Sequence, residues 1–215
     1  MSRAPTGAKL HLGCGTRAPA GWTNVDGAIG ARLARLAPWR WLQRHLGWVD
    51  LDWPSDLTIH DLRKPFPWRD GSAQCIYSSH TLEHLDREQG RRFLNECARV
   101  LAPGGVLRIV VPDLAVFLGR LEKGELRAVE LLDQLDVQTS RASDPWWKAL
   151  LAPYFRFPHR CMYDTACLID AFAEAGLQGE AALPFVSGIA DIDAVETAER
   201  TRDSVIVEAQ KPSAN

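Results

Sequence analysis

The chain has no Cys-x-x-Cys pair, and its five cysteines (Cys14, Cys75, Cys97, Cys161 and Cys167) are odd in number, scattered, and without zinc-like spacing to the six histidines. A disulfide framework and a cysteine-based metal centre are therefore excluded. Unpaired thiols fit a reducing compartment, so a cytoplasmic location is expected. Apolar runs are interrupted by charges or prolines well before the length of a membrane span, and residues 1–9 carry no apolar core of a signal peptide. There is no basic excess either: 25 basic side chains stand against 27 acidic ones, for a net charge of −2. A protein built to bind nucleic acid would need one to neutralise phosphates, so none is expected as a partner. No Gly-x-x-x-x-Gly-Lys-Ser/Thr motif, internal repeat or low-complexity tract occurs. What is present is 215 residues, 46% of them hydrophobic. That is enough for a single domain hiding roughly 70% of its unfolded surface.

Short apolar stretches alternate with helical patterns over most of the length. Lys9–Leu12 runs into Gly13-Cys14-Gly15, Trp22–Asp26 follows ten residues later, and Leu57–His60, Ala73–Ser78 and Val106–Val111 read as further strands. Leu177–Leu183 and Ser204–Ala209 read as late strands. Asp86 is placed to cap a helix carrying Phe93, Leu94, Cys97 and Leu101, which Pro103-Gly104-Gly105 should stop. Asp164 is placed to cap one carrying Leu168, Ala171, Phe172 and Ala175, with Gly176 as its left-handed end. This alternation predicts an α/β fold with a parallel core sheet. Two segments stand apart as expected insertions: a basic amphipathic stretch at about 28–56 and a helical stretch or lid at about 113–160. In the first, Ile29–Leu46 has four arginines, Trp39 and Trp41, and a break at Pro38. It reads as a lid, as a patch for an anionic acceptor, or as a peripheral membrane contact.

In an open parallel sheet, ligands bind beyond the carboxyl ends of the strands. The residues leaving those ends are Gly13, Cys14 and Gly15, then Asp26, then Asp61, then Ser79 and His80, and finally Asp113. Two glycines expose backbone N–H groups, and acids on neighbouring strands can accept hydrogen bonds from a ribose and an exocyclic amine. The pattern suits a nucleoside. A nicotinamide dinucleotide would need a third glycine three residues after Gly15 and an acid about 20 residues on. Ala18 occupies the first place and Asp26 comes too early. A nucleoside without a diphosphate, S-adenosylmethionine, fits better than NAD.

Five segments in order carry a resemblance: Leu10-His-Leu-Gly-Cys-Gly15, Gly21-Trp-Thr-Asn-Val-Asp26, Asp61-Leu-Arg-Lys-Pro-Phe-Pro67, Tyr77-Ser-Ser-His-Thr-Leu-Glu-His-Leu85, and Arg99 through Pro-Gly-Gly to Asp113. Over residues 8–113 the chain resembles a class I S-adenosylmethionine-dependent methyltransferase of the type 11 kind, closest to a bacterial group associated with cell-surface polysaccharide synthesis. The resemblance implies a Rossmann-like sheet of seven strands, the last antiparallel, with helices on both faces. It also implies that Gly13, Cys14 and Gly15 line the methionine portion, Asp26 holds the ribose hydroxyls, Asp61 and Leu62 meet adenine, and Ser79 and His80 face the sulfonium. The short segment after Gly15 leaves Thr16 and Arg17 for the cofactor carboxylate.

Methyl transfer is an in-line displacement that needs alignment and no metal. A hydroxyl acceptor also needs a base, for which His80 and His159 are the expected catalytic residues, with His84 third. His84 also reads as a packing residue one turn on. Asp26 and Asp61 read alternatively as turn formers, Cys14 as packing, and Asp113 as a helix cap. Trp146, Trp147, Tyr154, Phe155 and Phe157 suit sugar rings or a core. The expected activity is O-methylation of a carbohydrate, glycolipid precursor or other small metabolite. A silent cofactor-binding module and a nicotinamide-dependent oxidoreductase are the alternatives.

Overall fold

The computed structural model describes residues 7–33, 54, 56–134 and 158–213. Seven strands form one sheet in the order β3-β2-β1-β4-β5-β7-β6. They are β1 Ala8–Leu12, β2 Thr23–Asp26, β3 Thr58–Ile59, β4 Ala73–Ser79, β5 Leu101–Pro112, β6 Glu180–Ala181 and β7 Ser204–Gln210. Strands β3, β2, β1, β4 and β5 pair in parallel, whereas β7 runs antiparallel to both β5 and β6. The strand order reverses between β1 and β4, which opens a crevice at their carboxyl ends.

The sheet is buried on both faces, and its side chains separate with period two. In β5, Leu107, Ile109 and Val111 join one core while Val110 joins the other; β7 sends Val205, Val207 and Ala209 one way and Ile206 the other. The larger core is closed by α2 (Arg87–Val100), through Phe93, Leu94 and Cys97, and by α5 (Thr165–Glu174), through Leu168 and Phe172. The second face is covered by α6 (Ile192–Val195) with Ile192 and Val195. The remaining helices are α1 Ile29–Leu33, α3 Leu114–Glu122, α4 Ala128–Gln134 and α7 Ala198–Thr201.

Local chemistry starts these elements where it was expected. Asp86 accepts from Gln89 N–H at 2.8 Å while Gln89 reaches back to the Asp86 amide, a reciprocal capping box. Asp164 caps α5 through Cys167 N–H, and Gly176 ends it at φ +78. The β1–β2 connection is a helix-free loop. Helix α2 stops at Val100, before Pro103-Gly104-Gly105, which lies inside β5. There the register shifts opposite Ala73 and Cys75, and a Cβ on Gly105 would stand 2.8 Å from the Gln74 carbonyl. The late strand expected over 177–183 is reduced to an exposed two-residue edge: Glu180 and Ala181 pair in register with β7, and Ala182 N–H adds one bond to the Ile206 carbonyl. Most of the basic segment, including Pro38, and the aromatics 146–157 lie outside the described residues. No helix among the described residues is long and apolar enough to cross a membrane.

Candidate functional site

The loop leaving β1 is built around two left-handed glycines. Gly13 has φ +70, and a Cβ there would meet the Thr81 hydroxyl at 1.9 Å; Gly15 has φ +59. The amides of Gly13 and Cys14 both donate to the Val25 carbonyl, at 2.9 and 3.1 Å, folding the loop back over β2. Asp26 then receives Gly15 N–H on Oδ2 at 2.9 Å and Ala28 N–H on Oδ1 at 2.7 Å. The acid at the β2 exit is thus tied to the glycine loop, with lone pairs remaining for a diol. Cys14 is buried; burial, aided by the Asp26 charge, pushes its thiol up to about 12. It packs as a neutral group and is no nucleophile.

At the β3 exit, a Cβ on Gly27 would stand 2.6 Å from the His60 carbonyl and 3.2 Å from Asp61 Cα, so the two acidic exits lie side by side. Asp61 accepts Arg63 Nε at 2.8 Å and Nη2 at 2.9 Å, and that bidentate bond draws its carboxyl down to about 2. The Leu62 side chain is turned into the main core with Val25 and Phe66. Thr16 is exposed, and Arg17 donates to the Ala194 carbonyl on α6 at 3.2 and 3.0 Å.

The β4 exit gathers the histidines. Ser79 is buried, and His80 takes φ +51, with Nε2 2.8 Å from the Arg200 carbonyl and Nδ1 3.3 Å from Glu83 Oε1. Burial opposes its charged form, but the Glu83 carboxylate outweighs this and raises the His80 pKa. Both ring nitrogens face acceptors, so His80 ties the loop to Glu83 and to the Arg200 carbonyl. One turn on, the rings of His84 and His159 stand 4.9 Å apart. The amides of Arg160 and Cys161 donate to the Glu83 carbonyl at 2.7 and 3.1 Å, seating residues 159–161 on the turn at Leu82–His84. Asp113 caps α3 through Ala115 N–H at 2.9 Å.

Three residues at this rim escaped the sequence reading. Arg200 reaches from α7, its Nη1 donating to the Ser79 carbonyl at 3.1 Å and its Nη2 standing 3.6 Å from where a Gly15 Cβ would be. It is a cation beside the glycine loop that sequence spacing could not place, 121 residues from Ser79. Glu83 was in plain view within the Tyr77–Leu85 segment, and its apolar flanks Leu82 and Leu85 were the sign that it would be buried. His11, buried beneath the loop, touches Asn24 Oδ1 at 3.3 Å and packs on Trp22 and Tyr77. Burial draws its pKa down to about 4.

This sheet order, with its reversed β7 and its glycine loop at the switch point, defines a class I methyltransferase architecture. Residues 10–109 match the model of a methyltransferase domain, of the type 11 group. The chain carries a class I S-adenosylmethionine-dependent methyltransferase domain, and S-adenosylmethionine is its cofactor. Similar solved structures include a methyltransferase from Methanosarcina mazei, at 18% identity and TM-score 0.54, covering 96% of this chain and 93% of that one. Another, from Thermotoga maritima, is described as a possible histamine N-methyltransferase, at 18% identity and TM-score 0.53, covering 96% and 83%. An O-methyltransferase family protein from Burkholderia thailandensis has 13% identity and TM-score 0.53, covering 97% of this chain and 52% of that one. At these identities the likeness is one of fold. No curated protein matches the chain in sequence.

Proposed function

We propose that the protein O-methylates a hydroxyl of a carbohydrate, a glycolipid precursor or a related small metabolite in the cytoplasm. The observation that carries the cofactor half is the bond from Gly15 N–H to Asp26, which sets a diol acceptor beside the glycine loop; the Gly13, Cys14 and Gly15 amides, expected to be exposed, are spent on Val25 and Asp26. Asp26 takes the ribose hydroxyls, Asp61 faces adenine, and Gly13, Cys14 and Gly15 floor the slot with Ser79. Leu62 can contribute only backbone there, since its side chain is in the core. For the methionine carboxylate, Arg200 replaces the expected Thr16 and Arg17: its guanidinium lies by Gly15 and Ser79, whereas Arg17 is engaged at Ala194. The hydroxyl acceptor is supported by the imidazoles at the β4 exit, where the acceptor's proton must leave. His159 acts on that proton, and His80 acts by fixing Glu83. The resemblance to a group concerned with surface polysaccharides supports the glycan class.

Thermal unfolding with S-adenosylhomocysteine, S-adenosylmethionine and NAD in parallel tests the cofactor, and transfer of a labelled methyl group to a panel of sugars, glycolipids and amines tests the acceptor. Stabilisation by both adenosyl ligands and label on a sugar oxygen are expected. Stabilisation by NAD alone rejects the reading, and adenosyl binding without transfer to any acceptor leaves a silent binding module.

A further inference from the structure

The turn after β4 holds a carboxylate for which methyl transfer has no direct use. Glu83 is fully buried; Oε1 lies 3.3 Å from His80 Nδ1, and neither oxygen accepts a hydrogen bond among the described residues. A charge taken out of water in this way is expensive unless something positive sits against it, and His80 touches only one of its oxygens. His84 and His159 are the other groups nearby: one ligand atom from each of Glu83, His84 and His159 lies within 4.8 Å of the other two.

We propose that Glu83, His84 and His159 form a site for one divalent transition-metal cation of the zinc type. Two imidazoles and one carboxylate make a borderline-soft donor set, suited to zinc and its neighbours, whereas magnesium and calcium favour all-oxygen shells. Three protein ligands also leave a position open, as catalytic zinc sites do. Metal bonds of about 2.0–2.2 Å would bring the ligand atoms to roughly 3.0–3.5 Å apart, so the cluster has to contract modestly on loading. Supporting contacts are in place. His84 Nδ1 stands 3.4 Å from the Pro158 carbonyl, the kind of outer bond that orients a ligating imidazole, and the Arg160 and Cys161 amides pin the His159 segment to the backbone of Glu83. The carboxylate is buried and the two histidines are half-buried, so the ligand set is reached from the histidine side.

The binding site stands on its own, while its use rests on the methyl-transfer reading. There His159 is a ligand of the cation, so the base role it has without a cation falls to solvent water: the acceptor hydroxyl occupies the open position and releases its proton to that water. The oxygen then attacks the methyl carbon; the C–O bond forms as the C–S bond breaks, its electron pair passing to sulfur to leave S-adenosylhomocysteine.

The full-length protein, stripped with a chelator, is titrated with Zn2+ by calorimetry and with Co2+ by visible absorption, and S-adenosylhomocysteine affinity is measured on the same samples. One equivalent of Zn2+ is expected, with ligand-field bands from Co2+. His84→Ala and His159→Ala should each weaken Zn2+ by about 100-fold or more, beyond what loss of a supporting bond costs. These half-buried positions carry the test because Glu83→Gln alters a fully buried group. Folded protein that binds S-adenosylhomocysteine but no Zn2+ overturns the cation site and leaves the methyltransferase reading standing. Zn2+ binding untouched by either histidine variant overturns it equally. Histidine-dependent Zn2+ binding without any adenosyl binding supports the site and removes the reading of its use.

Discussion

Single side chains at the crevice are held by geometry that leaves little freedom. At Gly13 a methyl group would fall 1.9 Å from Thr81 Oγ1 and 2.9 Å from Thr81 Cβ, on a backbone already at φ +70. Gly13→Ala should therefore destabilise by several kcal/mol, on the order of 2–4 from overlap and left-handed strain together. In the double variant with Thr81→Ala, denaturant unfolding should recover the overlap part and retain about 1–2 kcal/mol. Equal destabilisation with and without Thr81 would show the clash to be relieved elsewhere. His11 gives a pH signature of definite sign. Its folded pKa, lowered to about 4 chiefly by burial, lies below the unfolded value of 6.5, so the unfolded chain binds the proton first. Its contribution is fully present above pH 6.5 and is lost as pH falls towards 4, by about 3 kcal/mol in all. His11→Gln should flatten that part of the stability profile; a profile parallel to the parent's would mean that His11 titrates normally. Legibility divides along the same line. Asp26 and Gly15 could be assigned to one rim from the sequence because each lies at or just beyond the carboxyl end of a strand, whereas Arg200 meets Ser79 only through tertiary folding.

Among the elements, those with a dense local code were legible in place and extent, whereas those defined by partners were legible in place but read too long. Strand β5 announced itself through Val106–Val111, and α2 through Asp86 and its apolar face; β3 and β6 are two residues each and exist only through their neighbours. Asp86→Ala should remove one side of the capping box and cost about 1 kcal/mol. That corresponds to a fall of roughly 2–4 °C in a chain of this size, read by thermal unfolding. No fall would mean that packing alone sets the start of α2. A larger effect awaits at β5, where Arg108 is wholly buried and spends all five donors. Nε and Nη2 bind Glu196 at 3.0 and 2.9 Å, Nη1 binds Glu208 and the Val186 carbonyl, and Nη2 also binds the Leu183 carbonyl. This ties residues 183–196 to the sheet's second face. Arg108→Met strands the Glu196 carboxylate in the interior and should cost about 3–5 kcal/mol, and adding Glu196→Gln should return part of it. Additive losses in that cycle would deny the coupling.

At the scale of the whole molecule, the slot belongs to no single segment. In the proposed slot the glycine loop comes from the end of β1, Asp26, the proposed diol acceptor, from β2, Asp61 from the exit of β3, Ser79 from β4, and the cation Arg200 from the chain just before β7. A ligand that touches all of them binds only the folded chain, so it couples early and late segments into one cooperative unit. At 100 times its dissociation constant, S-adenosylhomocysteine should add about 2.7 kcal/mol and raise the midpoint by several degrees. Arg200 divides this effect in a way that separates binding from scaffolding. If its guanidinium meets the amino-acid carboxylate, Arg200→Ala should weaken S-adenosylhomocysteine by about 10–100-fold, in line with loss of a charge-assisted bond. It should leave 5′-methylthioadenosine, which has the nucleoside and sulfur but no carboxylate, nearly unaffected. Arg200 also donates to the Ser79 carbonyl, so a merely structural role would loosen the β4 exit and weaken both ligands alike. Parallel calorimetric titrations of the two ligands against parent and variant decide between these outcomes, because the carboxylate is held against Arg200 in one ligand and is missing from the other.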